Sequence, residues 1–479
     1  MDVHVTLGGR GELAGQIYRQ LLDAILDGRL RAGERLPATR DFARGLDVSR
    51  NTVALAYERL NAEGYVTGRV GAGTYVCAEP PGPARRQPRP RRAPGTEGLS
   101  PRPVWGTLPL SATAAPTQQP YDFGVGIPDA RLFPFQAWRR LIARELRPST
   151  FGSGDYSDPQ GDPGLRAAIA RHVGVSRSVR AGADDVLVTH GAQQALDLIG
   201  RVLVEPGTVV AVEEPGYPPV RHLFASLGAK VVGVPVDAEG LTVSALPDAA
   251  RLVYVTPSHQ FPLGTAMSLA RRTALLSWAQ ARGAIVVEDD YDSEFRYSER
   301  PLEPLQSIDR AGRVVYIGSF SKTLLPVLRM GFLVAPPSLL GALRTAKQLS
   351  DWHCDSLTQA ALARFIDEGL LARHIRRATR HYAPRHEQVM AALRDDLAAW
   401  LVPVPSVAGL HICARLAPGV DVDVARAVEQ AARHGVAIRS LADYCVDGPA
   451  QRGLVIGFGA IPTERVADGL RLLAEVLGG

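Results

Sequence analysis

Residues 319–331 read SFSKTLLPVLRMG, running from Ser319 through Lys322 to Arg329 and Gly331. The segment follows Val314-Val315-Tyr316-Ile317, an apolar run with the composition of a buried strand. A lysine that forms a Schiff base must hold a neutral amine, which burial and nearby positive charge promote by lowering its pKa. Lys322 stands just past the strand, and Arg329 follows seven residues later. Ser319, Ser321 and Arg329 are the kinds of donor that hold a phosphate dianion. A single lysine is usually a surface residue, so the reading depends on the rest of the chain.

Two further stretches fit the same chemistry. Glu288-Asp289-Asp290-Tyr291 comes after the apolar run Ala284–Val287, so its acids are expected just beyond a strand end. A carboxylate beside a pyridine nitrogen keeps that nitrogen protonated, and a tyrosine hydroxyl can donate to a neighbouring phenolic oxygen. An ordinary polar strand edge is the plainer alternative. Thr189-His190-Gly191-Ala192-Gln193-Gln194 joins a strand to a helix, where free backbone N–H groups and the helix dipole suit a phosphate. Tyr217, in EEPGYPP, follows another strand end and is placed to stack on a flat ring. Near-continuous apolar strands at 186–188, 209–212, 252–255, 284–287 and 314–317 alternate with helical stretches. This pattern predicts a mostly parallel α/β sheet covered on both faces, with ligands at the strands' C-terminal ends.

The first 78 residues read differently. Leu13, Ile17, Leu21 and Ile25 recur every four residues up to Gly28, predicting a helix over 13–27. Thr39 is expected to cap a second helix carrying Phe42, Ala43 and Leu46. Ser49 is expected to cap a third, with Val53, Tyr57 and Leu60 on its buried side. Tyr65-Val66 and Thr74-Tyr75-Val76 flank a Gly71-Ala72-Gly73 turn, a strand-turn-strand wing. The second and third helices form a helix-turn-helix, which presents Ser49, Arg50, Asn51 and Thr52 to DNA at the start of the helix that enters the major groove. Arg40 and Arg69 are placed to reach phosphates.

Charge alone does not establish DNA binding. The pI is about 9.1, yet the first 79 residues hold ten arginines and ten acids. Residues 80–120 carry six arginines against Glu97 alone, an excess equal to the whole formal charge of +5. Segment 80–94, PPGPARRQPRPRRAP, cannot build a core and reads as a semi-rigid spacer, so 79–119 is taken as a linker. No 18-residue apolar run and no secretory layout are present, which makes the cytoplasm the expected compartment. Cys77, Cys354, Cys413 and Cys445 show no C-x-x-C spacing, so reduced thiols and no metal site are expected.

The run LPATRDFARGLDVSRNTVALAYERLNAEGYVTGRVGAGTYV resembles the GntR-type winged helix. The SFSK, EDDY and THGAQQ stretches resemble fold-type I aminotransferases. That resemblance implies pyridoxal 5'-phosphate on Lys322, with Asp289 on the pyridine nitrogen, Tyr291 at the phenolic oxygen and Tyr217 stacked on the ring. It assigns the phosphate to Ala192, Gln193, Ser319, Ser321 and Arg329. GDYSDPQGDPGLR puts Tyr156 where the family reaches into a neighbouring subunit's phosphate site, which implies a homodimer. The two parts together resemble the MocR regulators, as do TPSHQFPLG (256–264) and EDDYDSEFRY (288–297). The implied order is a winged helix over 1–78, the linker over 79–119 and an aminotransferase-like body with a smaller C-terminal α+β part over 120–479.

Two positions depart from the aminotransferase pattern. Phe261-Pro262-Leu263-Gly264 stands where Asn-Pro-x-Gly is usual, and Val455, in Leu454-Val455-Ile456-Gly457-Phe458, stands where an arginine grips the substrate carboxylate. The expected function is therefore a regulator that binds operator DNA and senses pyridoxal phosphate, or else a small amino compound. A working aminotransferase with a DNA-binding head, a residual half-reaction and a cofactor-free binding module are the alternatives.

Overall fold

The computed structural model describes residues 5–8, 11–69, 73–78, 100–109, 119–147, 155–297, 303–406 and 408–479. The chain divides into two units, Met1–Ser100 and Pro101–Gly479.

In the first unit the four-residue apolar spacing forms α1, Leu13–Leu26, which ends before Gly28 at φ +77°. Next come α2, Thr39–Gly45, and α3, Arg50–Ala62, followed by an antiparallel hairpin of β1, Val66–Arg69, and β2, Gly73–Val76. Ile17, Leu21 and Ile25 pack with Phe42, Ala43, Val53, Tyr57 and Leu60 in one core. Three amphipathic stripes thus converge, each too short to be stable alone. Ser49 caps α3 as expected, its Oγ accepting from the Thr52 N–H at 3.1 Å. Thr39 does not cap α2. Ala38 is the cap, and its backbone carbonyl takes the Asp41 and Phe42 N–H groups at 2.9 Å, which leaves the threonine inside the first turn. Gly71 and Ala72 of the expected wing turn lie outside the described residues. So do 79–99 and 110–118 of the expected linker.

In the second unit, residues 101–109 carry a one-turn helix, Val104–Thr107, and Arg102 donates to the Ser226 carbonyl at 3.2 Å. The strands that follow are β3 Tyr121–Asp122, β4 Val186–Thr189, β5 Val209–Glu214, β6 Lys230–Asp237, β7 Gly240–Leu241, β8 Ala250–Val255, β9 Ile285–Asp290, β10 Val314–Ser319 and β11 Gly331–Val334. Eight of them form one sheet in the order β4-β11-β10-β9-β8-β5-β6-β7. The five strands from β10 to β6 run parallel, and β11 lies antiparallel between β10 and β4. Their alternate residues feed two cores. Val212, Tyr254, Val287 and Ile317 meet the helix Gly191–Leu203, while Ala211, Val253, Val286 and Val314 meet the helix Leu269–Arg282. Burial on both faces is why these strands read as unbroken apolar runs.

A second, antiparallel sheet has the order β12-β13-β16-β15, from β12 Leu401–Pro403, β13 His411–Leu416, β15 Arg439–Ser440 and β16 Gly453–Gly457. The remaining strand, β14 Val436–Ala437, pairs with β3. Helices Leu370–Arg394 and Thr463–Gly478 cover the second sheet through Val389, Leu393, Leu470 and Leu473. Among the described residues no helix is long and apolar enough to cross a membrane.

Strands β5, β10 and β9 run past their expected ends, to Glu214, Ser319 and Asp290, and the change matters most in β9. Glu288, Asp289 and Asp290 belong to β9 itself rather than following it, and all three are buried. Each has a separate reason to be inside. Glu288 accepts from the Leu305 and Gln306 N–H groups. Asp290 pairs with Arg177 at 2.7 Å and takes the Tyr316 hydroxyl at 2.7 Å. Asp289, one residue out of phase, faces the other way.

Candidate functional site

Asp289 is the pivot of the second unit's chemistry. Its Oδ2 accepts from the Tyr254 hydroxyl at 2.8 Å, while its Oδ1 is buried without a partner. Burial pushes its carboxyl up to about 6, with Asp290 acting in the same direction and the Tyr254 hydrogen bond opposing. A carboxylate held this way calls for a cationic N–H.

Lys322 follows β10 on a half-buried turn, and its Nζ donates to the Gly126 carbonyl at 2.6 Å. Gly126 has φ +71°, and a Cβ there would stand 2.9 Å from Nζ, so the amine needs glycine beside it. Burial lowers the amine's pKa, and Arg329 adds to the effect against the opposing pull of Asp292 and Asp289. The chain has only two other lysines, Lys230 and Lys347. Lys347 is ion-paired with Asp351 at 2.7 Å, and Lys230 is exposed at the start of β6.

The residues expected to hold a phosphate gather through sheet register. Ser319 pairs with Gly331 across β10 and β11, and Gly331 pairs with Thr189 across β11 and β4. The Ser319 Oγ accepts from the Ser321 N–H at 3.1 Å. Arg329, at φ +51°, donates to the His190 carbonyl at 2.8 Å, so its guanidinium lies against the start of the helix Gly191–Leu203. Ala192 and Gln193 open that helix. A Cβ on Gly191 would come within 3.0 Å of the Arg329 guanidinium, which accounts for a glycine there. The Arg329 guanidinium and the helix N-terminus are thus adjacent, with Ser319 joined to both through the strand register, and donors of these kinds can hold an anion.

Tyr217 heads the helix Pro218–Ser226, and its ring meets Phe261 edge-on at 5.6 Å. Phe261, in the position usual for asparagine, also lies edge-on to Tyr291, His411 and Tyr444 at 5.9, 5.5 and 5.2 Å. Tyr156 is 78 % exposed, its ring against Trp352 and His353.

Three neighbours of this site were not singled out by the sequence reading. Tyr254 is hidden inside an apolar strand. His259 and Asp292 are 33 residues apart yet hydrogen-bonded at 2.9 Å, and the Tyr291 hydroxyl stands 3.0 Å from the same His259 nitrogen. Their only mark in the sequence was membership, for His259 and Asp292, of TPSHQFPLG and EDDYDSEFRY, which assigned them no role. All four cysteines are free.

In the first unit Arg40, Arg50, Asn51 and Arg69 are exposed. Thr52 is half-buried, its Oγ1 held 2.8 Å from the Ser49 Oγ within the cap, so the outward side chains of that first turn are Arg50 and Asn51.

Residues 13–76 match the gntR family of bacterial regulatory proteins, and residues 119–450 match aminotransferase class I and II. The chain is 38% identical over 459 residues to a probable rhizopine catabolism regulatory protein, MocR, of Rhizobium meliloti, covering 96% of this chain and 92% of that one. It is 32% identical to the pyridoxine biosynthesis regulator PdxR of Corynebacterium glutamicum, covering 93% and 91%. The crystal structure of the α-aminoadipate aminotransferase LysN of Thermus thermophilus superposes with a TM-score of 0.68 at 31% identity, covering 75% of this chain and 92% of that one. With a GntR winged helix at one end and a fold-type I aminotransferase body at the other, the chain belongs to the MocR-type transcriptional regulators.

Proposed function

We propose that this regulator holds pyridoxal 5'-phosphate on Lys322 and reads that cofactor as its signal, with vitamin B6 synthesis as the regulated output. The observation that carries the reading is the unpartnered Oδ1 of buried Asp289, set in one site with an amine of lowered pKa and an anion cradle. The fit is chemical. A pyridinium N–H supplies the hydrogen that Oδ1 lacks, and a phosphate dianion takes the donors of Ser319, Ser321, Arg329 and the N–H groups of Ala192 and Gln193. The LysN structure named above was solved with N-(5'-phosphopyridoxyl)-L-leucine, and PdxR is named for pyridoxine biosynthesis.

When bound, the cofactor supplies a reactive carbonyl on an electron-withdrawing ring. The chain's part is to hold it. Lys322 offers an amine whose charged form burial disfavours, Tyr217 covers the ring, and Tyr291 donates to the phenolic oxygen. Burial and the charges of Asp292 and Asp289 push the Tyr291 phenol well above its ordinary pKa, so it keeps the hydrogen it donates. Asp289→Asn should leave the covalent linkage in place, shift the visible band and weaken cofactor affinity roughly 10- to 100-fold, as for loss of a charge-assisted hydrogen bond. Equilibrium titration at the visible band checks this.

The choice of signal rests on Val455. Its side chain is fully buried among Leu263, Cys413 and Leu441, and it cannot fix a carboxylate. Arg452 is committed to Asp421 and the Val422 carbonyl, at 3.0 and 2.7 Å. The loaded protein, titrated with common amino acids, GABA and D-alanine, should therefore keep its spectrum and its operator affinity up to millimolar ligand. Micromolar responses in both would instead make an amino compound the signal. Steady turnover with a keto acid would make the body an enzyme.

The domain reading proposed with this function is a head over 1–78, a linker over 79–119 and a body over 120–479. The body is proposed to dimerise, with Tyr156 reaching the partner's phosphate cradle. The paired heads then meet two half-sites of one operator.

A further inference from the structure

We infer that His259 and Asp292 are positioning residues for Tyr291: they turn its hydroxyl hydrogen toward the cofactor's phenolic oxygen, doing through tyrosine what the asparagine missing at Phe261 would do directly. This rests on the cofactor reading above.

The geometry is a relay of three side chains. The His259 and Asp292 side chains are 2 % and 1 % exposed, and Nδ1 of His259 lies 2.9 Å from Oδ1 of Asp292. The same Nδ1 lies 3.0 Å from the Tyr291 hydroxyl oxygen. On the far edge of the ring, Nε2 is 3.1 Å from the Ser406 Oγ. The ring has no freedom to turn away. It packs on Gly409, at φ +84°, where a Cβ would stand 2.1 Å from the imidazole. The Leu410 N–H holds the second Asp292 oxygen at 3.3 Å.

Hydrogen accounting decides the direction of the relay. A carboxylate oxygen only accepts, so a hydrogen must sit on Nδ1. With the hydrogen on Nε2 instead, two lone pairs would face each other at 2.9 Å inside the protein. An N–H on Nδ1 points between Asp292 and Tyr291, and the tyrosine oxygen accepts its share. The tyrosine's own hydrogen is then free to point outward. Without the carboxylate, the other tautomer becomes accessible, and Tyr291 would give its hydrogen back to His259.

The charged and titratable groups around the relay leave this assignment intact. Asp289, Glu213 and Asp290 join Asp292 in acting on Tyr291, and with burial they keep it protonated. His411, with its ring centroid 4.7 Å from that of His259, is pushed down to about 3 by burial and brings no charge at neutral pH. Lys322 lies within reach of the field of Asp292 and Asp289.

A donor at the phenolic oxygen stabilises negative charge there. It thereby lowers the proton affinity of the nitrogen that links Lys322 to the ring. The pH midpoint of the visible band reads that affinity. In the full-length protein loaded with pyridoxal phosphate, His259→Phe should raise the midpoint by about one pH unit, roughly a tenfold change in proton affinity. Asp292→Asn should raise it by less, and His259→Gln, which keeps an N–H on that side, should restore most of the parent value. In a Tyr291→Phe background, His259→Phe should add nothing, because both substitutions remove the same hydrogen bond. A parent-like midpoint in soluble, loaded His259→Phe would overturn the proposal, as would additive shifts in the double variant. If His259→Phe does not fold, Asp292→Asn and His259→Gln carry the same comparison, and a parent-like midpoint in Asp292→Asn overturns it. A parent protein with no visible band would refute the cofactor reading rather than the relay.

Discussion

Lys322→Ala is expected to abolish covalent attachment of the cofactor completely, replacing the parent's visible band with that of the unlinked aldehyde, while leaving its unfolding free energy within about 1 kcal/mol of the parent. Both halves follow from the site. Only three lysines exist, and Lys347 is locked to Asp351 while Lys230 sits at the exposed start of β6. No second amine is therefore placed to replace Lys322 beside Asp289. The fold loses little, because Nζ makes one hydrogen bond, to Gly126, and its burial disfavours the charged form. Removing such an amine also removes its cost. Reduction with borohydride followed by intact mass measurement should add one phosphopyridoxyl group to the parent and none to the variant. An unchanged visible band or a mass adduct that survives in Lys322→Ala would remove the basis for every assignment in the body. The variant also separates sensing from folding. If the linkage to Lys322 sets the DNA-binding state, the variant's operator affinity should no longer respond to added pyridoxal phosphate.

The sequence made the sheet legible because burial on both faces leaves strands with almost no polar residue, and Val314–Ile317 and Leu252–Val255 are such runs. SFSK was legible for a related reason: a lysine and two serines at the end of such a strand stand where parallel sheets place ligands. The end of β9 was misplaced because acids normally stop a strand. Here Arg177 and Tyr316 hold the Oδ2 of Asp290, and the start of the helix Leu305–Ile308 holds Glu288, inside it. Those partners come from other segments of the chain, and local composition carries no trace of them. The relay failed to show for the same reason. His259 and Asp292 are each plausible surface residues, and only the fold brings them within 2.9 Å. Thr39 misled in the opposite way: the helix starts one residue earlier than a threonine cap would place it, so Ala38 is the cap residue and no side chain caps α2.

Arg50→Ala and Asn51→Ala should each relax operator choice by about 1–3 kcal/mol at one base pair, roughly a 5- to 150-fold loss of discrimination. The cap geometry selects these two residues. Ser49 ties its Oγ to the Thr52 N–H and hydroxyl, fixing where α3 begins and turning Thr52 inward. Val53, Ala56, Tyr57 and Leu60 are buried, so the helix cannot rotate to offer another face. Arg50 and Asn51 remain as exposed first-turn side chains, and they are the types able to pair twice with guanine and adenine edges. Neither change should unfold the head, because both side chains lie outside its core. Arg69 supplies the contrast. It ends β1 with its guanidinium 5.0 Å from the centre of the Tyr75 ring, on the expected wing. A phosphate contact there carries no sequence information, so Arg69→Ala should weaken operator and random DNA alike. It should also reduce the slope of log affinity against log salt by about one unit. Competition binding across a set of single-base operator variants, repeated at several salt concentrations, distinguishes the two behaviours. An Arg50→Ala protein that ranks those variants as the parent does would show that another surface reads the bases.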